Sequence, residues 1–333
     1  MLAPQAKTDF DLLLEKCIGQ RVDIPDLFVL CPWDLEISSP DEKLTMESRW
    51  INEPTSLKRN RIVNSCLFAR GIAPRAALDE LITVAKYQAW LFYWDDAYDF
   101  GDFDNKYEEI VSHQKQTTEL LRQSLFHKNP GSVNPADISP NHLTVQSIHE
   151  WGAVVGEQSV SSSLKNWFFK VLVDFCTATF YLQSAFDKRH ILDLETYRKI
   201  RMDSSAVLPT LAMVLFADQV AFPSWFFDHA LVEKAAELVD IIVWVGITLQ
   251  EAIREAGRIT HQAYLDFEEL EPQLMRLGES QGVAYEMRRF IASCRSVCTG
   301  IFHWTYHIKR YVLWEPGMNR DNISTVLGED LLK

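Results

Sequence analysis

The sequence predicts an all-α protein, folded as a single helical domain around a central cavity. Apolar residues recur at spacings of three and four through most of the chain after about residue 56, which is the period of a buried helix face. No alternating strand pattern of useful length appears, and neither an internal repeat nor a convincing linker divides the 333 residues. Helices that each bury one face pack around a shared core, so a helical bundle is expected.

The two parts of the chain differ in regularity. Residues 1–55 contain several prolines and are expected to be irregular, packing on the helical domain of residues 56–333 through Trp33 and Trp50. The predicted helices cover residues 74–98, 106–126, 142–156, 161–186, 194–216, 228–256, 265–277 and 283–314, with a polar loop at 127–140. Within 194–216 the helical period is disturbed by Ser204, Ser205 and Pro209, which predicts a kink.

Composition limits the classes of partner. The net charge of −13 argues against nucleic acid and against an anionic membrane surface. An anionic substrate would therefore need a metal ion or arginine to bind. The hydrophobic content of 47% is ample for a core, and ten Trp and nineteen Phe supply rigid apolar walls.

The same composition indicates a cytoplasmic protein. The N-terminal residues lack a basic segment followed by an apolar core, so no signal peptide is expected. The longest apolar stretch, around 206–217, is too short to span a bilayer. Six scattered cysteines, of which only Cys294 and Cys298 are close, are interpreted as reduced core thiols rather than a zinc site.

The most informative motif is a group of aspartates, Asp95, Asp96 and Asp99, directly after the aromatic run 90–94. On a helix their spacing lets all three carboxylates project to one side. Hard oxygen ligands at this spacing suit Mg²⁺, which bridges protein carboxylates to substrate phosphates. The alternative is a solvated acidic helix end, but such an end rarely follows five large apolar residues.

Two basic positions could recognise an anion. Arg201 lies just before the predicted kink, and its planar guanidinium matches a phosphate. Arg310 and Tyr311 follow Trp304 near the end of the last predicted helix. In isolation an ordinary basic helix surface is the favoured interpretation of Arg201. For Arg310 and Tyr311 the alternative is an ordinary amphipathic helix end.

A second group of hard ligands lies on one predicted helical stripe that also contains Asp240 and Trp244. Thr248 and Glu251 could bind a second metal opposite the aspartates, with Glu255 as a further candidate. Helices commonly carry such residues toward solvent, so the solvated alternative is strong here.

Together these motifs resemble the class I terpene cyclases, especially the single-domain fungal and bacterial ones. The resemblance covers most of the chain after residue 56. It implies the fold of the family, which is the class I terpenoid synthase bundle. The aspartate group looks like the family's metal motif, Arg201 like its diphosphate-sensing arginine, and Arg310–Tyr311 like its C-terminal Arg-Tyr pair. Three motifs in the family's order are fairly specific.

The second metal motif of the family departs from its pattern here. That motif has Asn or Asp at its first position and Glu at its ninth, but alignment on Thr248 puts Trp244 and Ala252 there. Glu251 is one residue out of register, which is about 100° around a helix. Either Glu251 and Glu255 take over, or the helix is wound differently, or fewer protein ligands hold the metals.

The resemblance implies Mg²⁺-dependent ionisation and cyclisation of a linear isoprenoid diphosphate, with release of diphosphate. Farnesyl diphosphate is the expected substrate, and a cyclic sesquiterpene hydrocarbon such as humulene, as formed by fungal cyclases, the expected product. Phe92 and Trp304 are expected to contact the hydrocarbon chain. The rival interpretations are a trans-prenyltransferase on the same fold and a non-catalytic helical protein that binds an isoprenoid. The protein is expected to act as a monomer or a homodimer.

Overall fold

The structure is a computed structural model that describes residues 8–23, 26, 28, 31–47, 63–99, 103, 106–126, 143–244, 250–308 and 324–326. Over these residues the fold is all-α, as the sequence predicts. The helices are α1 (Asp9–Cys17), α2 (Glu42–Glu47), α3 (Ser65–Ile72), α4 (Leu78–Asp99), α5 (Tyr107–Phe126), α6 (Leu143–Gln158), α7 (Ser162–Asp187), α8 (Leu194–Ser204), α9 (Val207–Ala217), α10 (Ala230–Trp244), α11 (Gln250–Ser280) and α12 (Ala284–His307). A 3₁₀ turn (Phe226–Asp228) precedes α10. The short antiparallel pair of β1 (Arg21–Asp23) with β2 (Ser324–Val326) was not expected from the sequence.

The predicted kink is a complete break between α8 and α9. Ser205 ends the first helix, and Ala206 takes a left-handed conformation with φ of 58° before α9 begins. Pro209 lies in the first turn of α9, where a missing backbone N–H costs no helical hydrogen bond. The break therefore depends on Ser205 and Ala206 rather than on the proline.

The prediction of a separate short helix at 265–277 was wrong. Those residues belong to α11, which runs without interruption to Ser280 and contains Pro272. The buried stripe of α11 continues through Thr260 and Ala263. These small side chains weaken the apolar signal in the sequence but not the helix. The loop predicted at 127–140 lies outside the described residues, as does the end of the last predicted helix beyond 308.

Helix α4 runs through the core, and three hydrogen bonds fix its rotation. Gln88 Nε2 donates to Thr210 Oγ1 of α9 at 3.1 Å. Trp94 Nε1 donates to Thr117 Oγ1 of α5 at 3.0 Å, and the Tyr98 hydroxyl lies 3.1 Å from His113 Nδ1 on the same helix. Buried polar groups need such partners, so a rotation of α4 about its axis would break these hydrogen bonds and lower the stability of the fold.

The contacts at both ends of α9 show that it runs antiparallel to α4. Arg75, just before α4, lies 3.7 Å from Asp218, the residue that ends α9. Gln88, further along α4, contacts Thr210 in the first turn of α9. The start of α9 is therefore at the same end of the bundle as the C-terminal end of α4.

Two contacts along α12 show that it runs parallel to α4. Arg75 Nη1 lies 3.1 Å from Ser296 Oγ, whereas Phe92 packs on Trp304 with ring centroids 5.0 Å apart. The C-terminal ends of α4 and α12 and the start of α9 therefore lie together. We call this the aspartate end of the bundle.

The opposite end is closed by a buried ionic cluster. The Asp218 side chain is 1% exposed and accepts hydrogen bonds from Arg289 and Ser293 of α12, with Arg75 nearby. Because a buried carboxylate is costly unless it is neutralised, this cluster ties α9, α12 and the start of α4 together.

The N-terminal segment contacts the bundle through Trp33. The Trp33 ring packs edge-on against Tyr264 at 5.0 Å and Phe267 at 5.1 Å, both on α11. Leu44 of α2 is fully buried, and Lys43 pairs with Asp79 of α4 at 3.0 Å. Trp50 lies outside the described residues.

One stretch of the described residues, Glu195–Ala217, is long and apolar enough to be considered as a membrane span. Its most apolar window is 67% buried inside the protein, and the break at Ala206 divides it. This pattern is typical of a core helix pair.

All six cysteines are free thiols. Cys176, Cys294 and Cys298 are buried, and burial raises the pKa of each thiol above its usual range. Thiols held in the neutral form are poor nucleophiles, which agrees with their interpretation as core residues.

Helices α3 and α12 cross at Gly71 and Gly300, where their backbones touch. A Cβ added at Gly300 would lie 2.4 Å from the Gly71 carbonyl carbon, and one at Gly71 would lie 3.1 Å from Gly300 Cα. We expect Gly300→Ala to force the helices apart and lower the free energy of unfolding by about 1–3 kcal/mol. Urea denaturation followed by circular dichroism measures this loss.

Gly71→Ala is the matched control, because its added methyl group requires a shift of only a few tenths of an ångström. We expect a clearly smaller loss for this variant. Equal stability of Gly300→Ala and the unsubstituted protein would contradict the close crossing.

Candidate active site

The aspartate group lies at the C-terminal end of α4, as predicted. Asp96 is 1% exposed and Asp95 is half-buried. Asp99 is the last residue of α4, but its side chain lies outside the described part of the chain. The carboxylate of Asp96 thus lies inside the bundle rather than on a solvated helix end.

The aromatic run before the aspartates divides between two sides of α4. Trp90 and Trp94 are fully buried and pack away from the aspartates, against Trp151 and Phe175, each at 5.1 Å. They belong to the core between α4, α6 and α7. The run as a whole therefore does not face one side of α4.

Phe92 and Trp304, both predicted to contact substrate, are in contact with each other. Their ring centroids are 5.0 Å apart, and Phe68 of α3 packs edge-on against Trp304 at 4.7 Å. Trp304 is 2% exposed, and its Nε1 donates to the carbonyl of Val63. This aromatic group lies one turn below Asp96 along α4.

Arg201 is in the last turn of α8, immediately before the break. It is half-buried, and its Nη1 lies 3.4 Å from Ser204 Oγ. Since the break leads into the start of α9, Arg201 belongs to the aspartate end of the bundle.

A buried acid supports the break. Ser205 Oγ lies 2.8 Å from Asp240 Oδ1 and 2.7 Å from the carbonyl oxygen of Met202. Asp240 is fully buried, and this burial raises the pKa of its carboxyl well above the usual value. The contact also shows that the C-terminal end of α10 lies at the aspartate end.

The second group of predicted metal ligands is only partly described. Thr248 lies outside the described residues, and Glu251 is in α11 with its side chain outside the description. Glu255 is exposed, and Arg258 donates to both of its oxygens, at 2.9 Å and 2.6 Å. The hydrogen bonds from Arg258 lower the pKa of Glu255. Glu255 would have to leave Arg258 to bind a metal.

The predicted pair Arg310 and Tyr311 also lies outside the described residues. The described part of α12 ends at the aspartate end, three residues before Arg310.

Sequence reasoning missed the polar groups behind the aspartates. His113 and Thr117 occupy a buried stripe of α5 that continues through Leu121 and Leu125. Polar residues at helical spacing within an apolar stripe are a signal of a core hydrogen-bond network, and they contact Tyr98 and Trp94 here. Burial raises the pKa of Tyr98, so its hydroxyl stays neutral.

The residues at this end fit a divalent cation by their chemistry. Carboxylate oxygens on one helix are hard ligands, and a buried one such as Asp96 is costly without a compensating charge. Among the side chains that the structure describes, no cluster of three His, Cys, Asp or Glu is already assembled. The side chains of Asp99 and Glu251 lie outside the described residues.

Comparison with known proteins supports the same chemistry. Residues 86–246 match the family model described as terpene synthase family 2, C-terminal metal binding. Silphinene synthase peniA of Penicillium patulum is 21% identical, over 87% of this chain and 85% of its own. Sesquiterpene synthase Agr1 of Cyclocybe aegerita is 20% identical, over 88% and 89%.

The fold has solved counterparts. The linalool/nerolidol synthase of Streptomyces clavuligerus, crystallised with 2-fluorogeranyl diphosphate, superposes with a TM-score of 0.64 at 16% identity, covering 82% of this chain and 97% of its own. This likeness concerns the fold alone. The family match spans the aspartates, Arg201 and Asp240, and the relatives extend it over most of the chain. The family match, the relatives and the fold together support a class I terpene cyclase, an enzyme that acts on an isoprenoid diphosphate.

Proposed function

We propose that this enzyme ionises farnesyl diphosphate in a Mg²⁺-dependent reaction and cyclises the resulting cation to a sesquiterpene hydrocarbon such as humulene. The observation that carries the proposal is the buried carboxylate of Asp96 at the end where the break after Arg201 and the C-terminal end of α12 also lie. A relative that is named a sesquiterpene synthase supports a fifteen-carbon substrate.

Asp95, Asp96 and Asp99 are the proposed first metal group. Thr248, Glu251 and Glu255 are the proposed second group. Bound Mg²⁺ would neutralise the negative charge that develops on the departing diphosphate.

Arg201, Arg310 and Tyr311 are proposed to bind the diphosphate. The guanidinium groups offer forked donors to phosphate oxygens, and the tyrosine hydroxyl offers one more. Donors that are fixed before the reaction stabilise the leaving group without reorganisation. Arg201 is half-buried and its Nη1 lies 3.4 Å from Ser204 Oγ, which supports a restricted position.

Phe92 and Trp304 are proposed to form part of the wall that contacts the hydrocarbon. Their packing on each other and on Phe68 makes the wall rigid, which favours one folded substrate conformation. The negative face of an aromatic ring stabilises a nearby carbocation. Excluding water at this wall protects the cation from early quenching.

The proposal also covers the setting of the enzyme. We propose a cytoplasmic protein, monomeric or homodimeric, without nucleic-acid partners or a membrane span. Residues 1–55 are proposed to be an extension packed on the cyclase domain of residues 56–333, which the contacts of Trp33 with α11 support.

Incubation with farnesyl diphosphate and Mg²⁺ should give a volatile cyclic hydrocarbon, detected by gas chromatography with mass spectrometry. Asp95→Asn and Asp96→Asn should each lower turnover by about 100-fold or more, because the metal-binding charge is lost. Asp79→Asn, which changes an exposed aspartate in the first turn of the same helix, is the matched control and should keep its turnover.

No hydrocarbon from farnesyl diphosphate, or from shorter and longer prenyl diphosphates, would rule out the cyclase. Addition of isopentenyl diphosphate tests the rival activity. Longer prenyl diphosphates, formed in place of hydrocarbons, would identify a trans-prenyltransferase instead.

The second metal group can be tested through the Mg²⁺ dependence of the rate. Glu251→Gln should raise the Mg²⁺ concentration for half-maximal rate by at least about tenfold. Glu255→Gln should have a smaller effect, because Arg258 competes for its carboxylate. Unchanged Mg²⁺ dependence in both variants would leave the aspartates of α4 as the metal-binding side chains and remove these two glutamates from the proposal.

A further inference from the structure

Asp240 is a buried acid with an incomplete set of partners. Its side chain is fully buried on α10, and Oδ1 lies 2.8 Å from Ser205 Oγ. Its second oxygen is buried and has no hydrogen-bond partner among the residues that the structure describes. Asp203 and Glu237 act on Asp240 with negative charge, and Arg201 acts on it with positive charge.

The hydroxyl of Ser205 has more acceptors than protons if Asp240 is ionised. Ser205 Oγ lies 2.7 Å from the carbonyl oxygen of Met202, and this oxygen can only accept. An ionised Asp240 can likewise only accept, yet a serine hydroxyl carries one proton. One of the two short contacts would then join two oxygens without a hydrogen between them.

A neutral Asp240 satisfies every contact at once. Its hydroxyl donates to Ser205 Oγ, and the Ser205 hydroxyl donates to the Met202 carbonyl. The backbone N–H of Val207, 3.3 Å away, donates to the remaining lone pair of Ser205. The oxygen that is left without a partner is then a carbonyl, which is less costly to bury than half of a carboxylate.

The charges around Asp240 also favour its neutral form. Burial raises the pKa of Asp240, and the negative charges of Asp203 and Glu237 raise it further. The positive charge of Arg201 acts in the opposite direction.

We propose that Asp240 is a positioning residue: as a neutral carboxylic acid it donates a hydrogen bond to Ser205 and so holds the break between α8 and α9 from which Arg201 projects. The break needs such support, because Ala206 has a left-handed φ of 58°, a backbone conformation that is strained for a residue other than glycine. The link also joins α10, which leads toward Thr248, to the helix end that carries Arg201. Its effect on the substrate rests on the proposed role of Arg201 in diphosphate binding.

The protonation state can be tested without catalysis. The infrared difference spectrum between the unsubstituted protein and Asp240→Asn at pH 7 should contain the carbonyl stretch of a protonated carboxylic acid. Asp79→Asn, at an exposed position, should show a carboxylate difference only. A carboxylate-only difference for Asp240→Asn would overturn the proposal.

The positioning role can be tested with inorganic diphosphate and Mg²⁺ by calorimetry. Asn can still donate to Ser205, so Asp240→Asn should bind within about twofold of the unsubstituted protein. Asp240→Leu and Ser205→Ala, which remove the hydrogen bond from either side, should each weaken binding by about tenfold. Ser205→Ala is a small change that serves if Asp240→Leu does not fold. If either Asp240→Leu or Ser205→Ala folds and binds diphosphate as tightly as the unsubstituted protein, the positioning role of Asp240 is overturned.

A double substitution separates positioning from a general loss of structure. In an Arg201→Met background, Ser205→Ala should cause no further loss of diphosphate binding, because its effect acts through Arg201. An additive loss would overturn the proposal. If the unsubstituted protein does not bind diphosphate, the proposed function and the role of Arg201 both fail, while the infrared band still decides whether Asp240 donates to Ser205.

Discussion

The position of the aspartates depends on hydrogen bonds buried on the other faces of α4. Gln88, Trp94 and Tyr98 each reach a polar partner on a neighbouring helix. Leaving a buried polar group without its partner costs about 1–3 kcal/mol. A one-residue rotation of α4, about 100°, would break all three bonds together. The helix therefore has one acceptable rotation, and in it Asp96 lies inside the bundle. Core hydrogen bonds far from solvent thus set the geometry of the reactive end.

Polar chemistry is divided between the two ends of the bundle. At the closed end Asp218 pairs with Arg289 and Glu36 pairs with Arg75, so the charges neutralise one another and this end is structural. At the aspartate end the carboxylates of Asp95 and Asp96 lie together in the last turn of α4. Between the ends lie aromatic and aliphatic contacts. This division follows from helix direction: because α9 runs antiparallel to α4 and α12 parallel to it, the ends that carry reactive side chains come together.

The sequence was sufficient for the fold class and for the helix that carries the aspartates. Periodicity reports which residues face a core, and α4, α5, α7 and α12 follow it closely.

Prediction from periodicity failed where small or polar side chains occupy buried positions. Because Thr260 and Ala263 are small or polar, the apolar pattern did not show that α11 is continuous. The sequence around His113 and Thr117 did not predict which helix they would contact. The link from Asp240 to Ser205 joins residues 35 apart in sequence, so no local pattern contains it. The side of α4 on which Trp90 and Trp94 pack could not be predicted either, because consecutive side chains on a helix point in different directions and tertiary contacts decide which are buried.

The common direction of several helices has an electrical consequence. Helices α4, α8, α10 and α12 all end at the aspartate end, whereas α9 begins there and α11 begins shortly after α10. Each helix C-terminus carries a partial charge of about −0.5 from its aligned peptide dipoles. This field adds to the carboxylates and to the net charge of −13. The field at the aspartate end therefore attracts a cation and repels a bare diphosphate. In the proposed reaction, metal and diphosphate would each raise the affinity for the other by the same factor.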